Sequence, residues 1–207
     1  MSANRKIYIV GLTGGIASGK SEASRYLETL GANTLDADVI SRELTAPFGS
    51  LLPAIRELFG DEVFRLDDTL NRQRLGEIIF NDDEARRKLD ALMHPAIQKA
   101  MLDAIDELEA KGEALVFLVV PLLFETGMDV LCDECWLVSA SREIQLERLM
   151  ERDGLNEDEA NARIDSQMSL EEKQERSNEI IENDKTREKM YSELQALYNQ
   201  LIKKLGR

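Results

Sequence analysis

The sequence predicts an α/β fold in which a five-stranded parallel sheet is layered between helices. Three observations predict it. Short β-rich runs alternate with longer stretches of helical spacing along the 207 residues. A glycine-rich loop joins the first such run to the first helix. The apolar run at 114–120 is near-continuous, as in a parallel strand covered on both faces.

Taken in order, 6–12 (KIYIVGL) reads as a buried strand ending in glycines, and 19–30 as a helix stopped by Gly31. Residues 33–35 read as a second short strand, with Asp36-Ala37-Asp38 at its carboxyl end. Some seventy residues of helical spacing follow, at 40–45, 51–59, 72–80 and 82–111, with Pro95 expected to break or kink the last. The third strand is 114–120 and the fourth 134–139. Residues 141–174 are helical and rich in charge, 179–182 form a weak fifth strand, and a long helix spans about 186–205. One domain is expected, with its core at about 1–36, 112–140 and 178–207. The helical insertions at about 37–111 and 141–177 are natural places for a substrate-binding region and a lid.

Composition narrows the function. Hydrophobic residues are 43% and charged residues 32%, as in a folded globular protein. The net charge is −14 and uneven: 1–60 is neutral, 61–140 carries −10 and 141–207 carries −4. Nucleic-acid binding needs a basic surface and is excluded as an expectation. No apolar run approaches the roughly 18 residues of a membrane-spanning helix. The segment MSANRKIYIVGL lacks the long apolar stretch and cleavage site of a leader, so a cytoplasmic protein is expected. Cys132 and Cys135 are spaced CxxC but precede a strand, and the one histidine, His94, is far away; they read as two reduced thiols rather than a redox pair or half a zinc site.

The chemistry lies in Gly14-Gly15-Ile16-Ala17-Ser18-Gly19-Lys20-Ser21, a full match to G-x-x-x-x-G-K-[ST] between a strand and a helix. Its glycines let the backbone curl so that successive N–H groups face phosphate oxygens, and the following helix adds its positive end. Lys20 would bridge the β- and γ-phosphates and the Ser21 hydroxyl would ligate Mg²⁺. The loop specifies nucleotide binding, not a reaction. GTPase motifs are absent, and the third strand ends in Val120-Pro121 without the carboxylate usual in motor ATPases.

Carboxylates must come from elsewhere. Asp36 and Asp38, two apart on an extended segment, would share a face at the carboxyl end of the second strand. One would take a proton from an attacking hydroxyl while the other steadies magnesium or substrate; spacing alone leaves a helix N-cap as an equal reading. Arg148 and Arg152, four apart on a helix, suit closure over phosphates or a solvated face with ion pairs to Glu147 or Glu151. His94, before Pro95, is by its chemistry more often structural.

Together these residues resemble the dephospho-CoA kinase family over nearly the whole chain. The resemblance is carried by GLTGGIASGKS from Gly11, DADVISREL from Asp36, LNRQRLGEIIF from Leu70, His94-Pro95, VVPLLFE from Val119 and QLERLMERD from Gln145. It implies a nucleoside-kinase-like phosphate-loop fold and transfer of the γ-phosphoryl of ATP to the ribose 3′-hydroxyl of dephospho-CoA, the last step of CoA synthesis. It implies Asp38 as catalytic base, Lys20 as phosphate ligand and Arg148 and Arg152 as lid residues. It also implies Arg72 and His94 near the acceptor and Asn183 near the adenine of ATP, with Mg²⁺ required. Dephospho-CoA and ATP are the expected partners of a monomer or weak homo-oligomer.

Two departures stand out. Ala17 replaces a common glycine, which the loop tolerates if φ stays negative, and 177–184 keeps Asn183 but not the family's flanking alanine, aspartate and glycine. The rival readings are another small-molecule kinase, for a nucleoside monophosphate or a sugar acid, and a non-catalytic nucleotide-binding protein. The loop lacks the GKGT ending of nucleotide kinases, and the Lys20, Ser21 and Asp38 set weighs against the second.

Overall fold

The computed structural model describes residues 5–206, so the first four residues of the segment read above for a leader lie outside it. Strands β1 (Tyr8–Gly14), β2 (Asn33–Asp36), β3 (Leu115–Val119), β4 (Glu134–Ser139) and β5 (Glu179–Glu182) form a sheet in the order β2-β3-β1-β4-β5. Every neighbouring pair is parallel. The helices are α1 (Lys20–Thr29), α2 (Ala37–Leu44), α3 (Leu52–Phe59), α4 (Arg72–Asn81), α5 (Asp83–Ala110), α6 (Arg142–Asp153), α7 (Glu157–Asp165), α8 (Leu170–Glu175) and α9 (Arg187–Lys204). The α/β reading therefore holds, with all five strands where their apolar runs put them to within two residues.

Residues up to Asp36 together with those from Ile105 onward form one compact unit, and Ala37–Ala104 form another. In the first unit, Val10 and Leu12 of β1, Phe117 of β3, Trp136 of β4 and Ile181 of β5 point to one face of the sheet. That face is closed by Ala23 and Leu27 of α1 and by Met190, Leu194 and Leu201 of α9. Trp136 and Phe117 meet edge to face at 5.2 Å between ring centroids, a geometry that contributes about 1 kcal/mol beyond area burial. On the opposite face the half-buried Cys132 and the buried Cys135 are free thiols. They wall Gly11, where a Cβ would lie 2.9 Å from Cys132 Sγ. The hydrogen bond between the two thiols, then burial, pushes Cys132 up, and the same bond lowers Cys135.

The second unit packs Leu51, Ile55, Val63, Leu70 and Leu75 together. Arg56 lies 4.1 Å over the Phe64 ring and pairs with Asp68 at 2.8 Å, tying the 60–70 turn to α3.

Three local expectations are corrected. β1 starts and ends two residues later than its apolar run, because Val10 to Gly14 pair with Glu134 to Val138 and draw Gly11 and Gly14 into the ladder; tertiary pairing overrides weak strand propensity. α2 begins at Ala37, so Asp38 lies in the first turn of a helix, and Asp36 and Asp38 are not on one extended face. The strand stops at Asp36 because its partner Val119 is the last residue of β3, and an acidic residue in a first helical turn is favoured by the helix dipole. α5 runs through Pro95 without the break that is one of the two expected outcomes. Leu89, Leu92, Met93 and Ala96 pack against the second unit's core on both sides of the proline, and that burial outweighs the lost backbone bond, about 3 kcal/mol.

Among the described residues no helix is long and apolar enough to cross a membrane.

Candidate active site

The parallel sheet gathers its chemistry at the carboxyl edge. β1 lies between β3 and β4, so the chain leaves it in one direction and later crosses to the other side; ligands of open α/β sheets bind at such a switch point. Gly14 closes β1 here and Asp36 closes β2. Asn183 follows β5, its N–H donating to Ser139 O at 2.8 Å.

The loop from Gly14 to Ser21 is folded tightly enough to dictate its residue types. A Cβ on Gly14 would lie 2.4 Å from Ser18 Oγ and 2.7 Å from the Val138 carbonyl. Gly19 sits at φ 96, in the left-handed region, and a Cβ there would lie 2.1 Å from Asn183 Nδ2. Gly15 faces the Gln145 side chain, which is itself fixed by a 2.6 Å bond from Nε2 to the Ala140 carbonyl. Ala17 adopts φ 57. The condition set for tolerating an alanine, a negative φ, is thus not met: the alanine stands in the conformation for which glycine is the natural choice, at a strain of about 1–2 kcal/mol.

Side chains from outside the loop brace it. Asn183 Nδ2 donates to the Ser18 carbonyl at 2.7 Å, and Gln167 Oε1, between α7 and α8, accepts the Ile16 N–H at 2.9 Å. Lys20 opens α1 and is buried, at 8% exposure; Ser21 next to it is exposed. Arg148 of α6 donates from Nη2 to the Asn183 carbonyl at 2.9 Å. Its Nη1 is buried with no hydrogen-bond partner and lies 4.0 Å from the Cβ position of Gly19. The Ser18 hydroxyl is likewise buried without a partner. A buried guanidinium N–H left unmatched costs about 1–3 kcal/mol, more for a charged group, and an anion in the loop would recover it. Beside Gly15, Arg142, Gln145, Gln167 and Lys173 line a cavity of about 280 Å³.

The remaining sequence-predicted residues are placed differently. Arg152 shares α6 with Arg148, but its guanidinium is held in a two-point pair by Asp153, at 2.7 and 3.0 Å. That pair holds the Asp153 carboxyl below its usual range and raises Arg152. The expected partners of a solvated face, Glu147 and Glu151, are not the ones it takes. In the second unit, Asp38 is exposed in the first turn of α2. Arg72 opens α4 and donates to Thr45 Oγ1 at 2.7 Å, with the Arg42 and Thr45 carbonyls at 3.4 Å. His94 Nε2 lies 3.9 Å from Asp90 one helical turn earlier.

Gln145, Gln167, Glu125 and Lys173 were not singled out from the sequence. Glu125 and Gln145 lie inside the stretches that carry the family resemblance, which is the signal available for them. Gln167 and Lys173 had none, because their partners are more than forty residues away.

No group of three or more His, Cys, Asp or Glu side chains suited to a metal exists among the described residues. The donors present, a Ser21 hydroxyl and single carboxylates, fit a Mg²⁺ that brings most of its ligands with a nucleotide rather than one held in a protein cage.

Known proteins resemble this chain along most of its length. The dephospho-CoA kinase family model matches residues 8–189. A dephospho-CoA kinase of Geobacter metallireducens is 42% identical over 196 residues, 95% of this chain and 98% of that protein. The solved structure of dephospho-CoA kinase from Campylobacter jejuni is 29% identical with a TM-score of 0.71, over 93% of this chain and 96% of that one. Shikimate kinase from Acinetobacter baumannii, 17% identical over 97% of this chain and 96% of its own with a TM-score of 0.54, shares the fold alone. With the family model spanning most of the chain and a relative 42% identical over 95% of it, this chain belongs to the dephospho-CoA kinase family.

Proposed function

We propose that the protein transfers the γ-phosphoryl of ATP to the ribose 3′-hydroxyl of dephospho-CoA, giving CoA and ADP, the final step of CoA biosynthesis. The observation that carries this reading is the buried, unpartnered Arg148 Nη1 beside the phosphate loop, a cationic donor arranged for an anion. Family membership supplies the acceptor.

In this reading the loop N–H groups and Lys20 hold the triphosphate, with Asn183 on the nucleotide side. Ser21 would hold Mg²⁺, which when bound would supply charge neutralisation for the transferring group. Asp38 accepts a hydrogen bond from the 3′-hydroxyl, takes its proton as the P–O bond forms, and aligns the oxygen with the γ-phosphorus. Such positioning supplies several kcal/mol of barrier reduction, up to about 7–11 in well-oriented systems. Asp36, one residue from α2, steadies the metal or substrate. Arg148 stabilises charge developing on the phosphoryl oxygens, and Arg152 joins it once released from Asp153. Residues 37–111 bind the acceptor, with Arg72 and His94 on its side, and 141–177 close as a lid that excludes water. The protein acts in the cytoplasm on small molecules, not on nucleic acid, as a monomer or weak homo-oligomer.

The test is ADP release from ATP and magnesium, with dephospho-CoA, AMP, adenosine or gluconate as acceptor. Stimulation by dephospho-CoA alone is expected. Stimulation by another acceptor replaces the substrate assignment, and ATP binding without any stimulation replaces the enzyme with a nucleotide-binding protein. Asp38→Asn is expected to lose turnover while binding ATP normally; near-normal turnover overturns its role as base.

A further inference from the structure

The segment between α7 and α8 touches the phosphate loop at a backbone donor directly ahead of its strained residue. Gln167 Oε1 holds the Ile16 N–H at 2.9 Å, and the next residue, Ala17, is the one at φ 57. On the far side of Ala17, Asn183 holds the Ser18 carbonyl at 2.7 Å. A left-handed alanine persists only where its surroundings over-determine it, and these two amide side chains are positioned to do so.

Gln167 is in turn anchored. The adjacent Met168 N–H donates to Glu125 Oε1 at 3.0 Å. The same oxygen receives the Lys173 ammonium at 2.8 Å. Lys173 is only 1% exposed, and its Nζ also donates to the Pro121 carbonyl at 3.3 Å. That carbonyl accepts the hydroxyl of Thr13, the residue before Gly14, at 3.2 Å. An ion pair with one buried member adds little to stability relative to packed apolar side chains, but it specifies position. Here one lysine fixes both the segment carrying Gln167 and the strand end leading into the phosphate loop.

We propose that Lys173, Glu125 and Gln167 are positioning residues for ATP: the Lys173–Glu125 pair sets the α7–α8 segment, and Gln167 passes that position to the Ile16 N–H and so holds the loop in its phosphate-binding shape. The inference rests on the reading of this loop as an ATP site, and wild-type ATP binding, measured first by calorimetry, tests that reading separately from the relay.

Gln167 is half-buried at a loop position, so Gln167→Ala is expected to fold normally. The KM and Kd for ATP should rise about five- to tenfold, the loss of one hydrogen bond, with the KM for dephospho-CoA unchanged. Adding Ala17→Gly should restore most of the ATP affinity, since glycine holds φ 57 without help. Glu125→Met alone strands the buried Lys173 ammonium and is at risk of misfolding. The double variant Lys173→Met/Glu125→Met removes both charges; it should raise the KM for ATP as Gln167→Ala does, and adding Gln167→Ala to it should change little more. The relay is overturned by an ATP KM within twofold of wild type in Gln167→Ala, by equal rises in both KM values, by no rescue from Ala17→Gly, or by additive effects of Gln167→Ala and the charge-pair variant.

Discussion

At the scale of single residues, the phosphate loop is constrained from opposite directions at positions two apart. Gly19 has no room for a side chain and a backbone that disfavours one: the Cβ would meet Asn183 Nδ2 at 2.1 Å, at φ 96. Gly19→Ala is therefore expected to destabilise the fold by about 2–3 kcal/mol, combining overpacking with left-handed strain, and to weaken ATP binding more than tenfold. Thermal melts and nucleotide titration read the two effects apart. Ala17 is the converse case. At φ 57, Ala17→Gly relieves about 1–2 kcal/mol of strain against about 0.4–1 kcal/mol of added chain entropy in the unfolded state. A net gain of about 0.5 kcal/mol is expected in chemical denaturation, and a loss of stability would show that the alanine is unstrained. Arg148 carries the third residue-scale expectation. Arg148→Ala should lower kcat about 10²-fold or more through lost charge stabilisation and release the Asn183 carbonyl it now caps. Single-turnover kinetics separates that fall in the chemical step from a change in product release.

Among elements, the pairing of α1 with α9 is the one with a pH signature. Tyr26 and Tyr191 stack at 4.1 Å with their planes 4° apart, and the Tyr191 hydroxyl donates to the Glu22 carboxylate in the first turn of α1. That hydrogen bond, and then the Arg25 and Arg187 charges, hold the Glu22 carboxyl below its ordinary 4.5. The same bond raises Tyr191 above 10.0. A carboxyl whose folded-state pKa is depressed lends stability above its unfolded value and loses it as pH falls, because the unfolded chain then binds the extra proton. A phenol whose folded-state pKa is raised lends stability below its unfolded value and loses it as pH rises through the folded one. Wild type is thus expected to melt above Glu22→Gln at neutral pH, with the gap closing as pH drops below 4.5. The gap to Tyr191→Phe should close as pH climbs past 10.0. A gap independent of pH at both ends would remove this hydrogen bond from the account. Because α1 begins at Lys20, its seating against α9 also bears on the phosphate loop it follows.

For the molecule as a whole, the charge distribution opposes the substrates. Net charge is −14, of which −10 falls in 61–140, while both ATP and dephospho-CoA are anions. On the proposed reading, local donors such as Lys20 and Arg148 act within a repulsive long-range field. Screening that field should help: kcat/KM for dephospho-CoA is expected to rise as ionic strength goes from about 10 to about 150 mM, where the Debye length falls from about 30 to about 8 Å. A steady fall over that range would mean that local cationic contacts dominate encounter.

The phosphate loop, the order of strands and helices, and the carboxyl-edge location of Asp36 were legible in the amino-acid sequence, because local chemistry specifies them. Glycine spacing, near-continuous apolar runs and stretches of helical spacing are short-range signals. What tertiary structure decided is what depends on partners far along the chain. Pairing with β3 stopped β2 at Asp36 and put Asp38 in a helix; packing carried α5 through Pro95; and contacts from Asn183 and Gln167 held Ala17 at a positive φ. The separation of Arg148, turned to Asn183, from Arg152, captured by Asp153, likewise follows from long-range geometry that i, i+4 spacing does not encode. Gln167 and Lys173 gain their places only when α8 is brought against the loop after β3, since an amide or ammonium acquires meaning from the distant group it meets.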